Sequence, residues 1–489
     1  TLTTDGNNSS IIAGTTNKAK NNNEIVVAGK NNDISGNSQQ TIIAGLANKE
    51  HGGLQNAIFG TLVDSSDNTQ SIIYGTSNNV KLSVNSIVGG KTQTVETVKE
   101  SILQSSNSSI KNNIGVIVSG KNQDISGNSD NTILSGMNNK VSISKRNIIS
   151  GQHHTIKSTD DGIVMGRNNT VDGAVKNVIT GEDNNATNNS NSVLFGGSVT
   201  SSNTESSLVG GFTSNLSNAK YAMIAGRNHV INTSHQSVIG GHTNKDTTGT
   251  NNAIFGESQD VATSSNVIVS GSTNDIDNVE NSLTVGRNNT VNGAGETIVS
   301  GQAHNVSNGE YNIISGDNSN VTNTNSSLIT GVNHTILNTN KSFVSGQVIQ
   351  ETSGTNNALV GELLISSSNT NSILGGKSNN VSSSKEVMIG GEGNTIVNTN
   401  QVLVTGSSNN VSNTTAGSLV SGKSNYENAG QNNMIGGEGQ STTTVKRSIV
   451  GGKSNTLATS EDVFVIGKSM DVNGGKKSII GGESITLST

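Results

Sequence analysis

Apolar and polar residues alternate along this chain with a period of fifteen residues. Each copy but one ends a short run in glycine, as in Ser372-Ile-Leu-Gly-Gly376 and Val387-Met-Ile-Gly-Gly391, and Ser105 takes the place of the glycine in the remaining copy. With the last Gly of each run as position 0, position −2 is Val, Ile or Leu in 31 of 32 copies. Position −4 is Ser, Asn or Thr in 24 of them. Because alternate residues of a strand share one face, these positions predict a strand with one buried side.

A second strand is predicted after the glycine. Position +3 is Asn in 15 copies and Gln, His or Ser in 11 more, while position +5 is usually Val or Ile. The residue between them, at +4, is mostly polar, so this strand also alternates between core and water. We expect the Asn side chains at +3 to form a buried polar ladder that is bonded from copy to copy.

A fixed short period over the whole chain is typical of a solenoid, in which each copy is one coil stacked on the last. Fifteen residues are too few for a helical repeat and enough for two short strands and two tight turns. The predicted fold class is therefore all-β, a parallel two-sheet β-roll (β-solenoid) of 32 coils of 15 residues, three of which carry one extra residue.

Residues 1–489 are predicted to form a single continuous β-solenoid rod, uncapped at both ends, because neither residues 1–4 nor residues 484–487 supply a polar or helical lid. At a strand spacing of ~4.8 Å, the rod would be on the order of 150 Å long. Exposed terminal strands propagate pairing, so we expect the rod to continue into more protein or to stack end to end as a filament.

The residues at position −3 argue against a soluble monomer. This position is apolar in all 32 copies, and neighbouring residues of a strand point to opposite faces, so it must lie outside if position −2 lies inside. An apolar stripe of this length exceeds the patches that soluble monomers leave open. We therefore predict a homo-oligomer with this stripe as its interface. Representative interface residues are Ile11, Val26, Ile42, Ile72, Ile87, Ile102, Leu208, Met223, Phe343 and Phe464.

Position +5 becomes acidic in four copies, and the next coil then has Ala at −3 in three of them and Met in the fourth, each directly after Asn. The pairs are Glu50 with Ala57, Asp246 with Ala253, Glu351 with Ala358, and Glu427 with Met434. Alanine occurs at −3 nowhere else in the chain. The coupled change predicts four coils with a repacked edge, and we leave open whether the edge is a corner adjustment or a binding notch.

Composition excludes several classes of protein. The chain has no Pro, no Cys and no Trp, and only 2% of its residues are aromatic. The absence of Pro fits a backbone in which nearly every N–H joins a ladder. A net charge of −6 without a basic block argues against nucleic-acid binding. No apolar run approaches the ~20 residues that span a bilayer, so we predict no membrane insertion within these residues.

Motifs that suggest chemistry are explained by the repeat. Gly417–Ser424 matches the phosphate-loop pattern, but the glycine at 422 is the ordinary end of a coil and no helix is predicted after it. His154, His229, His304 and His334 share position +3 but stand at least two coils apart, too far to share a metal ion. No pair of carboxylates is predicted to face across a groove. We predict no enzyme, no cofactor, and no catalytic or metal site.

Two known families resemble the repeat. The runs Ser71–Gly75, Ser192–Gly196 and Ser448–Gly452 resemble the Ser-Val-Ala-Ile-Gly repeat of the head domains of trimeric autotransporter adhesins. This resemblance implies a left-handed roll, a parallel trimer and a place on a bacterial cell surface. The middle Ala of that motif is Ile, Val or Leu here, and the neck, stalk and anchor of the family are not among these residues. Gly166–Val171 and Gly286–Val291 are similar to the repeats of grass ice-binding proteins.

Architecture and resemblance together predict an extracellular structural or adhesive fibre, at the cell surface or in a secreted filament. The expected partner is the chain itself, with host matrix, glycans or other cells as further candidates. Two alternatives stay open: an ice-binding protein, and a phage or injection-system tail fibre. The second resemblance implies the first alternative, although Lys18, Asp33, Lys49 and Asp64 interrupt the water-facing column at +4.

Overall fold

The computed structural model describes residues 2–3, 6, 9–20, 23–36, 38–62, 64–66, 69–77, 79–81, 84–92, 94–100, 102–107, 109–115, 117–122, 124–126, 129–130, 132–143, 145–293, 295–323, 325–338, 340–414 and 416–488. For residues 2, 3, 65, 80, 90, 95, 97, 98, 103, 105, 110, 112–114, 118, 120, 125, 129, 130, 321, 334, 336 and 349, only the backbone is described. All regular secondary structure in these residues is β, and all its strand pairs are parallel. The chain divides into two compact units, Thr1–Thr247 and Thr248–Thr489.

One coil of the first unit shows the design that both units share. Its first strand is Ile148–Gln152 and its second strand is Thr155–Lys157. Each strand pairs in parallel with the same strand of the next coil, fifteen residues further on. Asp160 then makes a single-residue parallel bridge to Val175. The two predicted ladders are present, and a third, one-residue ladder that was not predicted completes the coil.

The first unit has sixteen first strands among its described residues. They are Ile11–Ile12, Val26–Lys30, Ile42–Leu46, Ala57–Thr61, Ile72–Thr76, Ile87–Lys91, Ile102–Ser106, Ile117–Lys121, Ile133–Met137, Ile148–Gln152, Ile163–Arg167, Val178–Glu182, Val193–Gly197, Leu208–Phe212, Met223–Arg227 and Val238–His242. Its other strands are Leu2–Thr3, Asn17–Lys18, Asp33–Ile34, Lys49–Glu50, Asp64–Ser65, Asn79–Val80, Thr94–Lys99, Ser109–Ile114, Asp124–Ser126, Ser129–Asp130, Lys140–Ser142, Thr155–Lys157, Thr170–Asp172, Asn185–Thr187, Thr200–Ser202, Asn215–Ser217, Val230–Asn232 and Lys245–Thr247.

The described part of the second unit also has sixteen first strands, two of which run on into the second strand. They are Ala253–Glu257, Ile268–Ser272, Leu283–Arg287, Ile298–Gln302, Ile313–Asp317, Leu328–Leu337, Phe343–Thr352, Ala358–Glu362, Ile373–Lys377, Met388–Glu392, Val402–Ser407, Ser418–Lys423, Met434–Ile435, Ile449–Lys453, Phe464–Lys468 and Ile479–Glu483. The separate second strands are Asp260–Ala262, Asp275–Asp277, Thr290–Asn292, Asn305–Ser307, Asn320–Thr322, Ile365–Ser367, Asn380–Ser382, Thr395–Val397, Asn410–Ser412, Tyr426–Asn428, Ser441–Thr443, Thr456–Ala458, Asp471–Asn473 and Thr486–Ser488.

Five positions of each coil form the core. In the coil of Gly151 they are occupied by Asn147, Ile149, His154, Ile156 and Thr159, all buried. The first four are positions −4, −2, +3 and +5, as the alternation predicted. The fifth is position +8, just before the third ladder, and the sequence analysis did not identify it. Each unit therefore has a thin core in which aliphatic and polar side chains alternate.

Three corners turn the backbone of each coil. Around Gly151 the corner residues are His153 at +2, Ser158 at +7 and Asp161, which is position −5 of the next coil; their φ angles are 57°, 55° and 57°. Position 0 also needs glycine, because Gly151 has a φ of 129° and a Cβ there would overlap the carbonyl oxygen of Gly166 in the next coil. Asn and Asp tolerate the left-handed region better than most residues, which explains part of the richness in Asn.

Asparagine at +3 bonds each coil to the next through the backbone. The Asn169 Nδ2 donates to the carbonyl oxygens of Met165 at 2.9 Å and Gly181 at 3.1 Å. The Asn169 Oδ1 accepts the backbone N–H of Asn184 at 3.0 Å. The predicted polar ladder is therefore present, with backbone groups rather than neighbouring amides as partners. It satisfies carbonyl groups on both sides of the bend at position 0.

The extra residue of a longer coil lies at one place. Asn23 pairs with Gln39 at an offset of sixteen residues, whereas Lys18 pairs with Asp33 at fifteen. The addition therefore falls after the second strand and before the third ladder. The coils that end at glycines 136 and 422 place theirs in the same interval. Core registers on the two main strands are unchanged.

Candidate functional site

The outer side of the first strand carries an apolar side chain in coil after coil, most of them exposed and some, such as Ile163, Val178 and Val193, half-buried. We call the side chains at position −3 the apolar ribbon. The ten residues named for it from sequence are between 37% and 65% exposed, the lowest values at Val26 and Phe464 and the highest at Ile11. Their neighbours at −2 are buried, for example Ile73 beside Ile72. The structure thus places the ribbon on the surface of each unit.

Large side chains at position −1 widen the ribbon at intervals. The ring of Phe195 occupies the space in which a Cβ of Gly210 would stand, and Tyr74 lies over Gly89 in the same way. These aromatic side chains therefore lie along the ladder, flat against a glycine of the next coil. Both rings stay about two-fifths exposed, so they add apolar area to the surface.

The coils with Ala at −3 keep their apolar bulk by moving it two residues. Ala57, Ala253 and Ala358 are followed at −1 by Phe59, Phe255 and Val360, which are exposed. In the fourth coil the order is reversed, with exposed Met434 at −3 and Gly436 at −1. The ribbon therefore continues through these coils along a displaced line.

The four acidic residues at +5 lie inside the coil. Glu50, Asp246, Glu351 and Glu427 are all at most 1% exposed. The coupled change therefore includes a substitution within the core, and on the surface three of the four coils move apolar bulk from position −3 to position −1. Acidic side chains are usually exposed. The strict inward direction of position +5 overrides that preference here.

Each acid accepts hydrogen bonds from side chains at position −4. The Glu427 Oε1 accepts from the Ser418 Oγ at 3.0 Å and from the Asn433 Nδ2 at 2.9 Å. In the coil of Glu351, the donor is the Asn357 Nδ2 at 2.7 Å. The remaining acids follow the same plan. The contacts are Asn56 Nδ2 to Glu50 Oε1 at 2.9 Å and Ser237 Oγ to Asp246 Oδ2 at 3.0 Å.

A glycine at +8 makes room for each acid. A Cβ at Gly354 would overlap the carboxylate of Glu351, and one at Gly430 would overlap that of Glu427. Glycine occupies +8 in six coils, and four of these are the acidic coils, with Gly53, Gly249, Gly354 and Gly430. This spacing was visible in the sequence, and it would have placed the acids in the core.

Burial changes the acidity of the described groups in this core. Burial raises the pKa of Glu351 and of Glu427, and the hydrogen bonds from Asn357, Asn433 and Ser418 oppose that rise in part. The ionised form of each carboxyl group is therefore disfavoured in the folded chain.

The outward side of the second strand differs between two stretches. From Lys18 to Asp172, every one of eleven successive coils has a charged residue at +4 or +6, and the sign mostly alternates from coil to coil. From Thr290 to Ala458, none of twelve successive coils has one. Thr, Asn and Ser predominate there, as in Asn305 and Asn320, both exposed. We call the second stretch the neutral face.

The histidines at +3 replace Asn in the polar ladder. The His154 Nε2 bonds to the Ser150 carbonyl oxygen at 3.1 Å, and its Nδ1 accepts the N–H of Asn169 at 3.2 Å. His229 bonds in the same way, and burial lowers the pKa of His154, His229 and His304. The side chain of His334 lies outside the described residues. Within the described part of the chain, no group of three or more His, Cys, Asp or Glu side chains could hold a metal ion.

The phosphate-loop match also belongs to the repeat. Ser418–Lys423 is a first strand, and Tyr426–Asn428 follows it as a second strand. The helix N-terminus that a bound phosphate requires is therefore missing at this motif. Over the described ranges, no helix of a length and apolarity suited to crossing a membrane is found.

Comparison of the chain with known protein families and with curated proteins finds no family and no protein that matches it.

Proposed function

We propose that this chain is an extracellular structural or adhesive fibre protein, at the cell surface or in a secreted filament, which self-associates through the apolar ribbon. The observation that carries the proposal is the exposure of an apolar −3 side chain in coil after coil of each unit. Soluble monomers rarely leave a contiguous apolar patch of this extent open.

The partner that fits the ribbon best is another copy of the chain. Side chains on the ribbon recur at the spacing of parallel strands, about 4.8 Å. A second array with the same spacing can interdigitate with it at every coil. Each unit presents sixteen ribbon positions among its described strands. Covering one ribbon side chain contributes on the order of 1 kcal/mol. Sixteen covered side chains therefore contribute roughly as much as the upper end of the 4–15 kcal/mol that association is estimated to cost.

The proposed number of chains in the assembly rests on the resemblance of the repeat to the adhesin heads. The adhesin heads that the Ser-x-x-x-Gly runs resemble are parallel trimers, and we propose the same assembly here. Small residues at −1, such as Ala28 and Gly240, would allow the partner backbones to approach closely. The polar second strand would stay exposed to water or to a host matrix, a glycan or another cell.

The test is to place charges on the ribbon and measure mass in solution. In the variant Ile72→Asp, Ile87→Asp, Ile102→Asp, light scattering should show the assembly reduced to monomers. A matched control carries the same charges on the second strand, as Asn185→Asp, Thr200→Asp, Asn215→Asp, and should keep the wild-type mass. A wild-type chain that is already monomeric at micromolar concentration would contradict self-association.

Adhesion needs its own measurement. The purified assembly should bind at least one class among matrix proteins, glycans and cell surfaces in a direct binding assay. Absence of binding to all three would remove the adhesive half of the proposal and leave the structural half. A phage or injection-system tail fibre would be identified instead by neighbouring genes that encode tail proteins.

The neutral face favours ice binding as a second candidate function. Ice-binding surfaces are flat, regular and uncharged, and twelve successive coils without a charge at +4 or +6 meet the last condition. The charges that spoke against this function lie outside the stretch. Thermal hysteresis of the wild-type chain, lost in Asn305→Lys, Asn320→Lys, would support it. A wild-type chain without hysteresis would exclude it.

A further inference from the structure

The four acidic coils share one set of neighbours. In each, Ser or Thr stands nine residues before the acid, Gly three residues after it and Asn six residues after it. The hydroxyl residues are Thr41, Ser237, Ser342 and Ser418. The same four-part set at four separate places indicates that the acid belongs to a recurring arrangement and is not an isolated replacement.

No cation balances the acid of Glu427 within its surroundings. Its partners in register are Val411 and Thr442 of the adjacent coils. The other described inward side chains near it come from positions −4, −2, +3 and +8 of its own and the neighbouring coils. They are Ser418, Val420, Asn425, Asn433, Ile435, Thr414 and Val445. None of these can be charged.

The described side chains around Glu351 are equally uncharged. Its partners in register are Ile336, of which only the backbone is described, and Ser366. The described inward side chains of its own and the next coil are Ser342, Val344, Asn357, Leu359, Leu364 and Asn369. Position +3 of the preceding coil is His334, of which only the backbone is described. None of the described side chains would supply an opposite charge to an ionised Glu351.

One oxygen of each group is left without a donor. The Oε2 atoms of Glu351 and Glu427 have no hydrogen-bond partner among the described residues. A buried ionised carboxylate with a bare oxygen is far more costly than a neutral carboxylic acid in the same place. The arrangement therefore suits the protonated acid, with Oε1 accepting from Asn and Oε2 bearing the proton.

We infer that the coils of Glu351 and Glu427 are proton-dependent joints, which stay closed while the acid is protonated and open locally when it ionises. Each joint adjoins the apolar ribbon, because the Asn that bonds the acid directly precedes the −3 residue, as Asn357 precedes Ala358. Opening a joint would disturb the ribbon at that coil. The inference does not depend on what the ribbon binds.

The direction of the pH effect follows from the raised pKa of Glu351 and Glu427. The ordinary pKa is 4.5. Between that value and the folded pKa, the folded chain holds a proton that the unfolded chain has released. The contribution to stability is therefore complete below pH 4.5 and is lost as the pH rises through the folded pKa. Joints should be closed in acid and looser at neutral or alkaline pH.

Hydrogen exchange by mass spectrometry on the full chain tests this coil by coil. Peptides that contain Glu351 or Glu427 should lose protection between pH 5 and pH 8, relative to coils without an acid at position +5, such as residues 373–387. We expect a relative loss of about tenfold for each unit by which the pKa is raised. In Glu351→Gln the loss should vanish at that coil and persist at Glu427, and in Glu427→Gln the reverse should hold.

A surface control and a second variant keep the test decisive. Glu386→Gln changes an exposed corner acid and should leave the pH dependence of both joints unchanged. If a Gln variant does not fold, Glu351→Val supplies the residue found most often at +5. Equal protection at both pH values in the wild-type chain would overturn the inference. So would a protection that follows sodium, potassium or calcium concentration at fixed pH, because a bound cation would then be the ligand.

Discussion

The charged stretch from Lys18 to Asp172 and the neutral face from Thr290 to Ala458 use the same coil for different surfaces. Both have Ile or Val at most −2 and +5 positions and Asn, Gln, His or Ser at most +3 positions. Only the outward side of the second strand differs. In the first stretch, Lys157 and Asp172 of successive coils lie 3.8 Å apart, Nζ to Oδ2. In the second, Asn380 and Thr395 are paired in register without any charge.

The difference shows which positions are free to change. Inward positions are constrained by a core only two or three side chains wide, so nearly every coil repeats them. Outward positions of the second strand bear no packing load, and a whole stretch can exchange charge for hydroxyl and amide groups. A function that depends on surface chemistry is therefore expected to divide along these stretches, while stability is expected to be shared by both.

The largest expected effect should be the same in both stretches. Gly151→Ala and Gly376→Ala each place a Cβ on the carbonyl oxygen of the glycine in the next coil, at φ angles of 129° and 101°. We expect each to cost on the order of 3 kcal/mol of unfolding free energy. Urea denaturation with limited proteolysis near the altered coil measures this. If alanine destabilised the chain in only one of the two stretches, the two cores would not be equivalent.

A smaller effect should distinguish the coil of His154, in the charged stretch, from the coil of Glu427, in the neutral face, by the sign of the pH dependence of stability. Burial lowers the pKa of His154 from 6.5, so its contribution to stability is present above that pH and is lost as the pH falls through the folded pKa. Acid should loosen the coil of His154 and tighten that of Glu427. In His154→Asn the polar contacts remain and the acid sensitivity of this coil should disappear. Thermal unfolding at pH 5 and pH 8 tests it. An unchanged difference would contradict the assignment.

The smallest effect concerns the charges themselves. Lys157→Glu sets two acids against each other at exposed positions and should cost less than about 1 kcal/mol at low salt. Added salt should remove most of that cost. In the neutral face, Asn305→Glu meets no charge at +4 or +6 of the adjacent coils and should change stability by less than about 0.5 kcal/mol. Denaturation at two ionic strengths compares them, and a salt-independent cost for Lys157→Glu would mean that lost packing is responsible.

Periodicity was enough to predict most of the coil. The positions of Ile149 and Ile156 in the core, of Ile148 on the surface and of Asn169 in a ladder all follow from alternation within short strands. The third ladder at Asp160 could not be found in this way, because one paired residue in each coil is too short to show alternation. Position +8 also gives no apolar signal, since Thr159, a small polar residue, occupies the core there.

The burial of the acids was not predicted from the sequence, which indicated only a coupled change at the edge of four coils. An acidic side chain such as that of Glu427 usually faces water. The structure keeps it in the core because the strand direction is fixed by its neighbours and because Gly430 leaves the space that its carboxylate needs. A search for residues that change together with the acid, beyond the next −3 position, would have found the glycine. Self-association and ligands lie beyond what alternation can show, because they depend on a second molecule.

The uniform register of the coils has a consequence for inheritance. Because every strand offers the same parallel backbone to the next, an in-frame gain or loss of one repeat in the gene leaves its two neighbours with an equivalent partner. Residues 29–45 and 120–136 are identical at 12 of 17 positions, and each includes an extra residue. Such near-identical segments invite unequal recombination. Alleles of this gene should therefore differ in the number of coils sooner than in the design of any one coil, as sequencing of related strains can establish.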